Sequence, residues 1–216
     1  MTPRPGREAS PLFVEATPED ASRSSGLWLF VDVGFSRRTR SCGFAVDDCP
    51  PEELTFGCLV QRTLDVVSPA STPINLLLEA PLSAAFNKNG NPTGRRIEKR
   101  GSQVRYWYLG PACVVLVAAT YLLRQIREAT LKEPGSSAPI RLFEGFASFK
   151  EGKGTSSHVD DVSDLRNVAW GRAGVPGKVV WADDLKMNES DTLRSAFAVS
   201  GMDLGVPPVV LVGEES

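Results

Sequence analysis

Three carboxylates stand at or near the carboxyl ends of apolar runs: Asp32 in LFVDVGF, Glu79 in LLLEAPL and Glu144 in RLFEGF. A charge set directly on a hydrophobic strand is costly unless it is paired or binds a cation. The carboxyl ends of strands in an open α/β sheet also line its functional crevice. Convergent carboxylates cannot all stay ionised without a cation between them, and a hard, oxygen-seeking ion such as Mg²⁺ or Mn²⁺ suits them. A fourth contribution comes from SSHVDDVSDLRNVAW. There His158 and Asp161 fall at i and i+3 on one helix face, as do Asp161 and Asp164, with Asp160 as a close competitor. Which of Asp160, Asp161 and Asp164 is the ligand stays open at this point. Plainer readings stand beside these: a lone strand-end acid is often a turn or cap residue, acids at a helix start favour the macrodipole, and His158 could sit on the surface of a first helical turn.

Elements must bring these residues together. Leu27 to Val33 is a compact apolar run ending at Gly34, which reads as a buried strand, and Ser41 to Val46 reads as a second. The short polar connection between them predicts a β-hairpin. Thr55 to Thr63, after the Asp-Asp-Cys-Pro-Pro turn, predicts a third strand. Ile74 to Leu78 predicts a fourth, stopped by Pro81. Pro111 to Thr130 predicts a helix with proline in its first turn. Ile140 to Phe143 predicts a fifth strand, Val159 to Trp170 a helix, and the VVLV after Pro207-Pro208 an edge strand. The order implies an α/β protein with a mixed five-stranded sheet and helices on its faces. The strand of Asp32 should then lie parallel to and beside that of Glu79. Residues 1–26, rich in Pro, Ser and charge, read as a disordered or loosely attached arm, and residues 27–216 as one domain.

At this point the motifs carry a resemblance. Asp32 on a first strand, followed by Gly34 and a hairpin, resembles the opening of ribonuclease-H-like nucleases. Glu79 on a fourth strand and the His158-x-x-Asp161 pair on a late helix resemble the Holliday-junction resolvase branch. LEAPLS and LFEGFASF are more similar to the DUF429-like group of predicted nucleases of the same fold. The resemblance spans roughly Leu27 to Trp170. It implies a metal-dependent nuclease that hydrolyses phosphodiester bonds by a two-metal mechanism, with cations about 4 Å apart. Asp32 would bridge them, Glu79 and Asp161 would each hold one, His158 would be a ligand or orient water, and Glu144 would be an outer ligand.

Between the fourth strand and the long helix, FNKNGNPTGRRIEKRGSQVRYWY holds Lys88, Arg95, Arg96, Lys99, Arg100 and Arg105 against the single acid Glu98. Basic residues beside Tyr106, Trp107 and Tyr108 suit a phosphate backbone and stacked bases, which makes Arg95, Arg96, Arg100 and Arg105 candidate substrate-binding residues and nucleic acid, DNA or RNA, the expected partner. The alternative is a solvated loop whose aromatics anchor the helix. The net charge of −2 over 216 residues announces no nucleic-acid binder globally, so any such binding must be local. Four cysteines with no C-x-x-C pair and one histidine argue against structural zinc and for thiols in a reducing, cytoplasmic compartment. The first residues hold no secretory signal. Gly110-Pro111 interrupts the uncharged stretch from Tyr106 to Leu123, which leaves a core helix rather than a membrane span. Two other classes remain: a non-catalytic nucleic-acid-binding or scaffold protein on the same fold, and an actin-like ATPase, whose phosphate loop also joins a strand Asp to Gly and Ser.

Overall fold

In chain order the strands are β1 (Phe13–Val14), β2 (Leu27–Val33), β3 (Cys42–Val46), β4 (Glu52–Leu54), β5 (Ile74–Glu79), β6 (Ser83–Phe86), β7 (Pro92–Thr93), β8 (Lys99–Arg100), β9 (Gln103–Val104), β10 (Ile140–Phe146), β11 (Gly177–Val180), β12 (Thr192–Ser195) and β13 (Val209–Val212). The helices are α1 (Phe56–Val67), α2 (Pro111–Lys132), α3 (His158–Ala169) and the single turn α4 (Ala182–Leu185). The computed structural model describes residues 12–34, 40–104, 111–132, 138–150, 156–196 and 204–213.

The fold is α/β around a mixed sheet of eight strands, ordered β11-β13-β10-β5-β2-β3-β4, with β1 added along β10. Strands β2, β5, β10 and β13 run parallel, while β3, β4 and β11 are antiparallel to their neighbours. As expected, β2 lies parallel to and beside β5. Side-chain alternation along each strand divides the core between two faces. Leu29, Val31, Leu76, Leu78, Ile140 and Leu142 pack with Leu59 of α1 and with Leu122 and Ile126 of α2. Trp28, Phe30, Leu77 and Phe143 pack on the other face with Val162 and Leu165 of α3.

Four expectations need correction. Thr55–Thr63 is not a strand: Thr55 caps a helix, accepting a hydrogen bond from the Cys58 amide at 3.2 Å, and the third strand is β4. Leu59, Thr63 and Val67 are buried at a spacing of four, the helical period that a short apolar window conceals. The expected arm is attached over residues 12–26: β1 pairs with β10, Trp28 donates to the Ser22 carbonyl at 2.8 Å, and Arg141 meets Asp20 at 3.1 Å. The sheet has eight strands rather than five, and VVLV is an interior strand, covered by β11 at the edge. No helix among the described residues is long and apolar enough to cross a membrane.

Candidate metal centre

Asp32 and Glu79 are register partners at the ends of β2 and β5. Strand alternation turns both toward the face covered by α3, where Asp32 is 4% and Glu79 6% exposed. The first turn of α3 completes the arrangement. Ser157 caps it: its hydroxyl accepts from the Asp160 amide at 3.2 Å, and the Asp160 carboxylate accepts from the Ser157 amide at 2.9 Å. This reciprocal box occupies Asp160 at the helix start. Asp160 is exposed there, outside the cluster, while Asp161 faces inward at 3% exposure.

Close approach of α3 to the sheet depends on two glycines. A Cβ on Gly43, which pairs with Asp32 across β2 and β3, would strike the His158 carbonyl oxygen. A Cβ on Gly34 would strike the His158 ring and the Ser41 carbonyl. A glycine inside a strand is a recognised mark of such an approach, and Gly43 is the sequence signal that an element would dock over Asp32.

Among the described residues, donor atoms of Asp32, His158 and Asp161 all lie within 4.8 Å of one another. His158 Nδ1 is 2.6 Å from Asp32 Oδ2. The hydrogen bond to Asp32 raises the His158 pKa above its ordinary value, burial of the ring opposes this, and the charges of Asp32, Asp161 and Glu79 reinforce it. Asp161 Oδ1 accepts from the Ser156 hydroxyl at 2.9 Å and lies 2.6 Å from Lys150 Nζ. Lys150 also meets Asp164 Oδ2 at 2.6 Å. Burial works against the Lys150 ammonium, but the two aspartates outweigh it and raise its pKa. Asp164 shares Lys150 with Asp161 but lies outside the group whose donor atoms converge. Lys150 and Ser156 escaped the sequence reading because they lie in a connection with no periodic pattern to place them.

No family model matches the chain, and no curated protein or solved structure matches it at a significant level. Its chemistry has to be argued from the geometry.

Glu144 does not join Asp32 and Glu79. It pairs in register with Leu78, so it projects to the opposite face of the sheet. There it is fully buried and engaged: Arg95 Nη2 lies 2.7 Å from Glu144 Oε1, and Oε2 accepts from Arg95 Nη1 at 2.9 Å and from the Leu82 amide at 2.9 Å. Arg95 also contacts Glu98 at 3.0 Å and donates to the Ser83 hydroxyl at 2.8 Å. Burial disfavours the Arg95 charge, but Glu144 and Glu98 more than offset it and keep the guanidinium protonated. At 1% exposure Arg95 is no surface contact for substrate. It is the root by which the basic segment is fixed to β6 and β10.

Arg96 and Arg100 are exposed, as are Lys88 and Lys99. Arg96 donates to the Lys186 carbonyl at 3.1 Å, and Arg100 to the carbonyls of Phe149 and Gly213 at 3.2 and 3.0 Å. Arg100 and Lys150 line the same cleft, of about 450 Å³, with Asp164 beside them. Through Arg100 the basic segment thus reaches the cleft that Lys150 and Asp164 line. Arg105 and the aromatic run 106–108 lie outside the described residues.

Proposed function

We propose that this chain is a metal-dependent nuclease of ribonuclease-H-like fold that hydrolyses phosphodiester bonds of nucleic acid. The observation that carries the reading is the convergence, at one end of the sheet, of Asp32 from β2, His158 and Asp161 from α3, and Glu79 in register with Asp32. Two carboxylates and an imidazole with donor atoms within 4.8 Å of one another are a fitting set for Mg²⁺ or Mn²⁺. Asp32, His158 and Asp161 would hold the cation, with Glu79 beside them. The cation would supply Lewis acidity at the phosphoryl oxygens and acidify a water molecule.

The chain's own residues prepare the site. Asp32 fixes the His158 ring through Nδ1, so the imidazole keeps one orientation. Ser156 and Lys150 fix the Asp161 carboxylate. Arg96 and Arg100, with Arg105 from the sequence, would supply the positive charge that follows a phosphate backbone. Four cysteines with no C-x-x-C pair fit a reducing, cytoplasmic setting.

The internal pairing of His158 with Asp32 and of Lys150 with Asp161 favours a second reading, in which the fold binds nucleic acid without metal or catalysis. Incubation with single-stranded, duplex and branched DNA and RNA, with Mg²⁺ or Mn²⁺ and with a chelator, separates the two. Cation-dependent cleavage of one substrate class supports the nuclease. Binding without cleavage in every cation supports the scaffold. An actin-like ATPase would instead bind nucleotide.

A further inference from the structure

We infer that the site takes a single divalent cation and that the Lys150 ammonium supplies the second positive charge there, in place of a second cation. This rests on the metal-dependent reading above, from which the resemblance alone would imply two cations. Lys150 leaves the turn after β10 with its side chain only 8% exposed, and Nζ is 2.6 Å from both Asp161 Oδ1 and Asp164 Oδ2. Asp161 Oδ1 also accepts from Ser156. With that oxygen engaged by an ammonium and a hydroxyl, Asp161 is a poor bridge between two cations. A second dication on the Asp161 side would also stand a few ångströms from a largely buried positive charge, where repulsion is weakly screened.

The charge balance agrees. Among the described residues, and with His158 neutral as a ligand of the cation, Asp32, Glu79, Asp161 and Asp164 bring four negative charges and Lys150 returns one. A single divalent cation leaves the cluster slightly negative; two would leave it net positive before any substrate arrives. Arg95 does not alter this count, because it lies on the other face, paired with Glu98 and Glu144. Removing the Lys150 charge should therefore open the site to a second cation.

The test is to count Mn²⁺ ions bound by the full chain, by equilibrium dialysis with electron paramagnetic resonance, for wild type, Lys150→Met and Lys150→Arg. The expected result is one site on wild type and on Lys150→Arg. Lys150→Met should gain a second site, or hold its one ion roughly tenfold more tightly, because a like charge has gone. A purely structural lysine would change stability and leave the count and affinity alone, so an unchanged Lys150→Met overturns the inference. Two sites on wild type also overturn it while leaving the metal-dependent reading intact. No site on wild type overturns both. Circular dichroism checks each variant, and if Lys150→Met does not fold, the wild-type count decides.

Discussion

Arg95 and His158 show how differently two buried or half-buried charges behave. Arg95 is enclosed with Glu98 and Glu144, and its removal would leave two carboxylates buried without their cation. Arg95→Met should therefore cost about 3–5 kcal/mol in chemical denaturation, whereas Arg96→Ala at the exposed neighbouring position should cost well under 1 kcal/mol. Equal small losses for both would mean that Arg95 is not the anchor. His158 gains its stability as an imidazolium beside Asp32. Its folded pKa is raised, so that contribution is fully present below the unfolded value of about 6.5 and is lost as pH rises through the raised folded value. Metal-free protein should accordingly lose stability through that window, and His158→Asn should flatten the profile. A wild-type profile with the same slope as the variant would remove the Asp32–His158 pair from the account.

At the level of elements, α3 places the site and the glycines of β3 and of the turn after β2 let it approach. Gly43→Ala puts a methyl against backbone, which cannot swing aside, and should cost about 1–3 kcal/mol while weakening Mn²⁺ binding by shifting His158. Normal Mn²⁺ affinity in a destabilised Gly43→Ala would show that the first turn of α3 is not a ligand-bearing element. The sequence disclosed β2, β5, β10 and α3 because each is a continuous apolar or amphipathic run with clear ends. It did not disclose α1, whose buried residues four apart look strand-like over a short window. Nor did it disclose which face Glu144 takes: a strand-end acid is visible in one dimension, but its side of the sheet depends on register with Leu78 in another strand. The Asp160–Asp161 ambiguity was soluble in principle, since Ser157-x-x-Asp160 has the spacing of a capping box. The basic segment splits the same way: a buried Arg95 and an exposed Arg96 are adjacent in sequence. Neutralising Arg96 and Arg100 together should reduce the log-log salt slope of oligonucleotide binding by roughly 0.7 to 0.9 per lost phosphate contact. An unchanged slope would mean that these arginines serve only the carbonyls of Lys186, Phe149 and Gly213.

Over the whole molecule, a slightly acidic chain separates the buried acids Asp32, Glu79 and Asp161 from the exposed Arg96 and Arg100. Its thiols are segregated too: burial pushes the Cys42 thiol up to about 11, whereas Cys49, Cys58 and Cys113 are exposed. Maleimide should label three cysteines in the native state and the fourth only on unfolding, and rapid labelling of Cys42 would contradict the packing of β3. The cluster around Asp32 should hold a cation that serves hydrolysis, and Asp32→Asn is the most direct test of this. The amide keeps the size of the side chain and holds a cation poorly, although it also weakens the bond to His158. Cleavage by wild type and Asp32→Asn should be compared over a range of Mg²⁺ and Mn²⁺ concentrations, with folding verified by circular dichroism. Wild type should show cation-dependent hydrolysis and a folded Asp32→Asn none; unchanged cation-dependent activity in the variant would show that Asp32 holds no cation needed for hydrolysis.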